Sequence, residues 1–229
     1  QQESLRAGNK LRTAHIDWQK QKMKVNLAAQ TLSSSVADAL EFCKQNSIDG
    51  FENSEATIDF LRKIDHLFDI LNSRNPIAKN YKAPMRPTNR HLWEPFLSQM
   101  KQYLVSMKNA SGTPMTMTNR KTPFLGFIMA INSTIAIFKD FVAQSDITVM
   151  TSQQPLKYLL TYKLSQDHIE HFFGCVRSHG GCNNNPTARQ FTAIYKRLLT
   201  HHEVKAVNGN CIQIEDVPIL AGKNNPLSQ

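Results

Sequence analysis

A chain of 229 residues with 41% hydrophobic and 20% charged residues reads as folded rather than disordered, and can bury about 70% of its unfolded surface. Its net charge of +9 and pI near 9.5 favour a polyanionic partner such as DNA, RNA or a nucleotide, with an incidental basic surface as the bland alternative. Four widely spaced cysteines, Cys43, Cys175, Cys182 and Cys211, form no CxxC pair and no dense disulfide framework, which favours reduced thiols in the cytosol or nucleus.

The pattern along the chain is helical. Val25, Leu27, Ala28, Leu32, Val36 and Leu40 recur at helical spacing and predict one long helix over residues 20–46, broken by Asp49-Gly50. Ser54 and Glu55 open a second helix carrying Ile58, Leu61, Ile64, Leu67, Phe68 and Leu71. Residues 73–90, with Pro76, Pro84, Pro87 and several basic residues, read as a loop, and 91–108 as a third helix. A polar connection follows over 109–122, and Pro123 suits the first turn of an apolar helix. The apolar run from Phe124 to Phe138 is too short to span a bilayer and predicts a buried helix and no membrane partner. Helices are expected at 153–162, 165–177 and 187–201, and only the tail around 204–217 resembles a strand. The chain starts at Gln1 without a signal-peptide pattern, which reads as an excised piece.

The richest stretch is the acidic helix Ser165-Gln166-Asp167-His168-Ile169-Glu170-His171-Phe172-Phe173. Ile169, Phe172, Phe173 and Val176 share one apolar stripe, and Asp167 and Glu170 lie together beside it. Two such carboxylates could bind a divalent metal or an amine, and Mg²⁺ takes one or two acids with water and phosphate oxygens. The bland alternative has Ser165 capping the helix, Asp167 complementing the helix dipole and Glu170 solvated. His168, His171, Cys175, His179 and Cys182 form a competing constellation acceptable to zinc, although no standard finger has this spacing. Downstream, Asn185 suits an N-cap and Pro186 the first helical position, so that helix start could meet a phosphate, with Arg189, Lys196 and Arg197 adding charge.

Several segments carry a family resemblance. They are Asn119-Arg120-Lys121-Thr122-Pro123-Phe124-Leu125-Gly126-Phe127, the run Leu159 to Asp167 continuing through Glu170, and Asn183-Asn184-Asn185-Pro186-Thr187-Ala188-Arg189. Lys22 to Gln30, Leu32-Ser33 and Phe68-Asp69-Ile70-Leu71-Asn72-Ser73-Arg74 extend the match upstream. The chain resembles the P-element-type DNA transposases, including the THAP-domain transposase relatives. The resemblance implies a mainly α fold: a helical GTP-binding insertion domain over 1–163, the C-terminal helices of an RNase H-like core over 164–205, and a tail over 206–229.

It further implies that Lys24, Val25, Ser33, Phe68, Asp69, Asn72 and Asp167 contact GTP, held as a structural cofactor. Glu170 would be the last of the family's three catalytic, metal-binding acids, with Mg²⁺ as the ion and DNA as the substrate. It implies nuclear localisation and leaves open a homo-oligomer of the intact protein. The other two acids belong upstream of the insertion, so the two-metal geometry is not expected within this chain. At the opening, Leu5-Arg6-Ala7 stands where the family carries an aspartate and a lysine ahead of an Arg-Asn pair, and Pro123 stands where it carries a glycine. A domesticated, non-enzymatic module that retains nucleotide or DNA binding is the alternative reading.

Overall fold

The computed structural model describes residues 11–22, 24–143, 156–181 and 183–201. The α-helices run in chain order as α1 Thr13–Ile16, α2 Val25–Thr31, α3 Ser34–Gln45, α4 Glu55–Leu71, α5 Arg90–Ser106, α6 Lys121–Phe141, α7 Asp167–His179 and α8 Ala188–His201. Among the described residues there is no strand, only the isolated bridges Met85–Leu159 and Lys108–Pro114, so the mainly α expectation holds. Among the described residues two compact units divide the chain: residue 11 with 29–143 and 156–164, and residues 12–22 and 24–28 with 165–181 and 183–201.

In the first unit, α4 is the axis. Its apolar residues Ile58, Leu61, Ile64, Leu67 and Ile70 fall at helical spacing and are all buried. The N-terminal part packs on α3 through Val36, Ala37, Ile58 and Leu61. Arg62 of α4 seals that contact by reaching Asp38 at 3.0 Å and also Glu41. Further along, Ile64, Leu67 and Ile70 meet Trp93, Leu97, Met100 and Leu104 of α5 and Ile131 and Phe138 of α6. Trp93 and Phe138 meet edge to face with ring centroids 4.7 Å apart. Burying each large side chain of this kind contributes roughly 1.5–3 kcal/mol.

Three expectations need correction here. The single helix over residues 20–46 is two helices. Ser33 between them is extended, with φ −103° and ψ 154°, and its hydroxyl donates to the Gln30 carbonyl at 2.8 Å. Serine competes with the helix for backbone partners in this way, which ends α2 and lets α3 start afresh. The apolar helix α6 is not buried all round. Only Ile131, Thr134 and Phe138 are buried, while Met129 is 68% and Phe141 55% exposed. At 21 residues it is long and apolar enough by length and composition alone to cross a membrane, yet one face packs on α4 and α5.

The helix expected over 153–162 is the third correction. Residues 153–155 lie outside the described residues, and Leu156 to Leu160 are not helical. Met85 N–H donates to the Leu159 carbonyl at 3.0 Å, and Leu159 N–H donates back at 2.9 Å. Those backbone groups are therefore spent on a distant segment, and only a single 3-10 turn, Thr161–Leu164, follows.

The second unit holds α1, the start of α2, α7 and α8. Among its described residues Cys175, Val176 and Leu198 form a buried apolar cluster, with Phe172, Phe191 and Ile194 packed against them, and His171 is buried as well. The strand-like tail expected around 204–217 lies outside the described residues.

Candidate functional site

The C-terminal end of α4 gathers three of the sequence's candidate nucleotide contacts. At 100° per residue, Asn72 falls between Phe68 and Asp69 on the helix surface. Phe68 is half-buried but, among the described residues, outside the core cluster that takes Leu67, Ile70 and Leu71. Asn72 is the C-cap, and its Oδ1 accepts from Arg74 Nε at 3.2 Å.

Asp69 is the perturbed group of this region. Its side chain is 20% exposed, not the solvated acid that a bland helix face would carry. Burial is the main cause pushing its pKa up from 3.8 to about 6, with the neighbouring Asp65 adding to the rise and Lys82 opposing it. Lys82 Nζ is 3.9 Å away, beyond hydrogen-bond distance. The short 3-10 turn Asn80–Lys82 brings Lys82 here and stacks Tyr81 on His66, ring centroids 4.5 Å apart, with Phe96 4.9 Å from Tyr81. Burial lowers the His66 pKa. Sequence reasoning missed Lys82, Tyr81 and His66 as neighbours of Asp69, because a basic loop carries no periodicity that says where it folds back.

Ser33 is buried at the α3 N-cap, its proton donated to Gln30. Lys24 and Val25 fall in the second unit and are exposed; the Lys24 carbonyl accepts from Leu27 N–H at 3.1 Å at the start of α2. Ser33, Phe68, Asp69 and Asn72 thus belong to one unit, and Lys24, Val25 and Asp167 to the other.

On α7, Asp167 is the first helical residue and half-buried, and its N–H donates to Ser165 Oγ at 3.4 Å. Gln166, not Ser165, occupies the N-cap position, with no side-chain cap bond. Glu170 is exposed one turn in, and Gln166 Nε2 donates to its Oε1 at 2.9 Å. Both acids stand in the first turn, where the helix dipole favours negative charge.

Among the described residues the zinc constellation does not assemble, and no group of three or more His, Cys, Asp or Glu is placed to hold a metal. His171 and Cys175 are buried, Cys43 and Cys175 are reduced thiols, and His179 Nδ1 lies 2.9 Å from the Cys175 carbonyl. Cys182 lies outside the described residues.

The start of α8 also differs from expectation. The helix begins at Ala188, not Pro186. Gln190 N–H donates to Thr187 Oγ1 at 3.3 Å, and Thr187 N–H donates to Gln190 Oε1 at 2.9 Å, a reciprocal capping box. Asn185 N–H instead donates to Asn183 Oδ1 at 3.0 Å in a local turn. The N–H groups expected to meet a phosphate there are partly consumed within the chain, and the Thr-x-x-Gln pattern was the signal that foretold it. Arg189, Lys196 and Arg197 are exposed, the first two on the side of α8 away from Ile194 and Leu198 and Arg197 on its flank.

Comparisons with known proteins bear on this geometry. Residues 1–84 match a family model described as a TNP-like, GTP-binding insertion domain. Residues 162–196 match another described as a TNP-like, RNase H C-terminal domain. The chain is 33% identical over 203 residues to the DNA transposase THAP9 of Homo sapiens, covering 88% of this chain and 22% of that protein. It is 28% identical over 170 residues to the transposable element P transposase of Drosophila melanogaster, covering 74% of this chain and 21% of that protein. A solved structure, the Drosophila P element transposase strand transfer complex, superposes with a TM-score of 0.67 at 26% identity, over 89% of this chain and 43% of that one. The chain thus spans about a fifth of the length of the curated relatives it matches.

Proposed function

The chain belongs to the P-element-type DNA transposase family, and we propose that it supplies such a transposase with a guanine-nucleotide site and with the last acid of its catalytic centre. The Asp69 carboxylate carries the nucleotide reading. It is desolvated, its pKa is raised to about 6, and Lys82 at 3.9 Å gives it charge but no hydrogen bond. An ionised carboxylate is acceptor-only and takes two donors side by side. Guanine presents N1–H and its 2-amino group side by side, and adenine does not. Phe68 would cover the base, and Asn72 would meet its polar edge. Ser33, in the same unit, is a further contact of this reading. As the family resemblance implies, GTP on this reading is a structural cofactor that orders the protein for DNA rather than a fuel.

Glu170 fits the family's metal role as one ligand. It is exposed, ionisable and steadied through one oxygen by Gln166, and Mg²⁺ takes few carboxylates alongside water and phosphate oxygens. The remaining acids come from outside the described residues. When bound, the ions would supply Lewis-acid activation for phosphodiester transfer. Arg189, Lys196 and Arg197 would contact DNA phosphates. Nuclear localisation and assembly into an oligomer of the intact protein belong to the same reading.

Calorimetry on the purified chain tests the nucleotide site. GTP binds and ATP does not, and Asp69→Ala weakens GTP by about 10–150-fold, the worth of hydrogen bonds to a charged group. Absence of GTP binding by the wild-type chain would sink the proposal.

A further inference from the structure

The loop over residues 73–90 and the segment over 156–164 are knitted into one strap on the first unit. Besides the Met85–Leu159 bridge, Tyr162 N–H donates to the Ser73 carbonyl at 3.2 Å. Ser73 N–H donates to Thr161 Oγ1 at 3.0 Å, and Ser73 Oγ donates to the Lys82 carbonyl at 2.8 Å. The Thr161 hydroxyl donates to the Ile70 carbonyl at the end of α4. Segments far apart in sequence are thereby fixed side by side by buried bonds.

This strap is basic and carries no acid. From Ile70 to Trp93 and from Leu156 to Gln166 there is neither Asp nor Glu. Lys79, Lys82, Lys157 and Lys163 are exposed on it. Arg86 lies 5.1 Å over the Tyr158 ring while donating to the Pro76 carbonyl at 2.8 Å. Arg74 and Lys163 lie 5.9 and 5.7 Å from the Tyr162 ring centre.

Over the rest of the unit acids outnumber cations, with 10 Asp or Glu against 8 Lys or Arg in residues 29–72 and 91–143, and several of the unit's cations are paired. Lys44 pairs with Glu55, Arg62 with Asp38 and Glu41, Lys63 with Asp59, and Arg90 with Glu94. On the strap, by contrast, Lys79, Lys157 and Lys163 have no ion-pair carboxylate among the described residues, and Lys82 reaches only the half-buried Asp69. Gathering cations without counter-charge costs self-repulsion, which an extended polyanion relieves.

From this charge asymmetry we infer a second DNA-binding surface, in which Lys79, Lys157 and Lys163, flanked by Lys82, track the phosphate backbone of duplex DNA. Base reading is disfavoured because the aromatic faces are already taken. Arg86 covers Tyr158, Arg74 and Lys163 flank Tyr162, and Tyr81 stacks between His66 and Phe96. The surface is distinct from α8 and, Lys82 apart, from the proposed nucleotide contacts. Lys82 is therefore left unchanged in the test.

Fluorescence anisotropy of the full chain with a duplex of about 20 base pairs, at roughly 50 to 200 mM salt, tests the surface. Lys79→Ala, Lys157→Ala and Lys163→Ala together flatten the slope of log affinity against log salt by about 2–3, near 0.9 for each phosphate that is no longer neutralised. The corresponding triple Lys→Arg variant restores the slope, and GTP affinity by calorimetry stays at the wild-type value in both. The inference is overturned if the triple alanine variant keeps the wild-type slope. It is equally overturned if removing Arg189, Lys196 and Arg197 of α8 accounts for all of the salt dependence, or if polyglutamate or double-stranded RNA binds more tightly than DNA.

Discussion

The two units solve the problem of burial differently. In the first, α4, α5 and α6 join around fully buried Leu67, Leu97, Ile131 and Phe138, and each helix has partners in at least two others. In the second, α7 and α8 bury only Cys175, Val176 and Leu198 together with His171. Their remaining apolar surface stays in the open, with Ile169 59% and Leu199 43% exposed. Phe172, Phe173, Phe191 and Tyr195 contact one another in edge-on and stacked pairs, and of these Phe172 and Phe191 also pack on the small buried cluster. The first unit has the rigidity to hold a desolvated carboxylate, whereas the second places its acid, Glu170, on an exposed helix with a shallow base.

The strongest way to break this comparison is to hollow the first core. Phe138→Ala should cost about 3–5 kcal/mol in denaturant unfolding, because it removes a fully buried ring packed on Trp93. A loss under about 1 kcal/mol would mean that the core is loosely packed.

Asp69 sharpens the comparison next. Its carboxyl has a folded pKa near 6, above the ordinary 3.8. A raised pKa stabilises the fold below the ordinary value, and that advantage is lost as pH rises through about 6. Asp69→Asn should therefore stabilise the chain at pH 8 by up to about 3 kcal/mol, and should leave its melting unchanged below about pH 3.5. GTP affinity of the wild type runs the other way, rising with pH as the carboxylate ionises. A flat stability difference between pH 4 and 8 would remove Asp69 as a desolvated acceptor.

The smallest effect lies in the second unit. Thr187→Ala removes the hydroxyl of the α8 capping box and should cost about 1 kcal/mol of local stability. Hydrogen exchange should report it in α8 amides and leave α4 to α6 at wild-type protection. Equal loss of protection across α4 would show that the units unfold together.

The elements legible in the sequence were those whose order is local. The spacing of Ile58, Leu61, Ile64 and Leu67 stated α4 in full, and the carboxylates of α7 could be placed on their helix to within two residues. What was illegible depended on partners far along the chain or on a single hydroxyl. Ser33 looked like one more helical residue until its bond to Gln30 ended α2. Leu156 to Leu160 are apolar enough for a helix, but Met85 claims the backbone of Leu159. Asp69 could be singled out only through the family resemblance, because the turn that brings Lys82 and Tyr81 beside α4 has no periodic signature. The surplus of positive charge was visible as a total, while its concentration on one strap was not.

The knit between Ser73 and Thr161 carries a consequence for synthesis. Its bond spans 88 positions, so the strap cannot close until the chain has been made well past α6. At ordinary translation speeds that interval is on the order of ten seconds, during which α4 to α6 can assemble while their basic loop waits. Nascent chains arrested before Leu159 should therefore collapse around Trp93 and Phe138 yet remain without a closed strap.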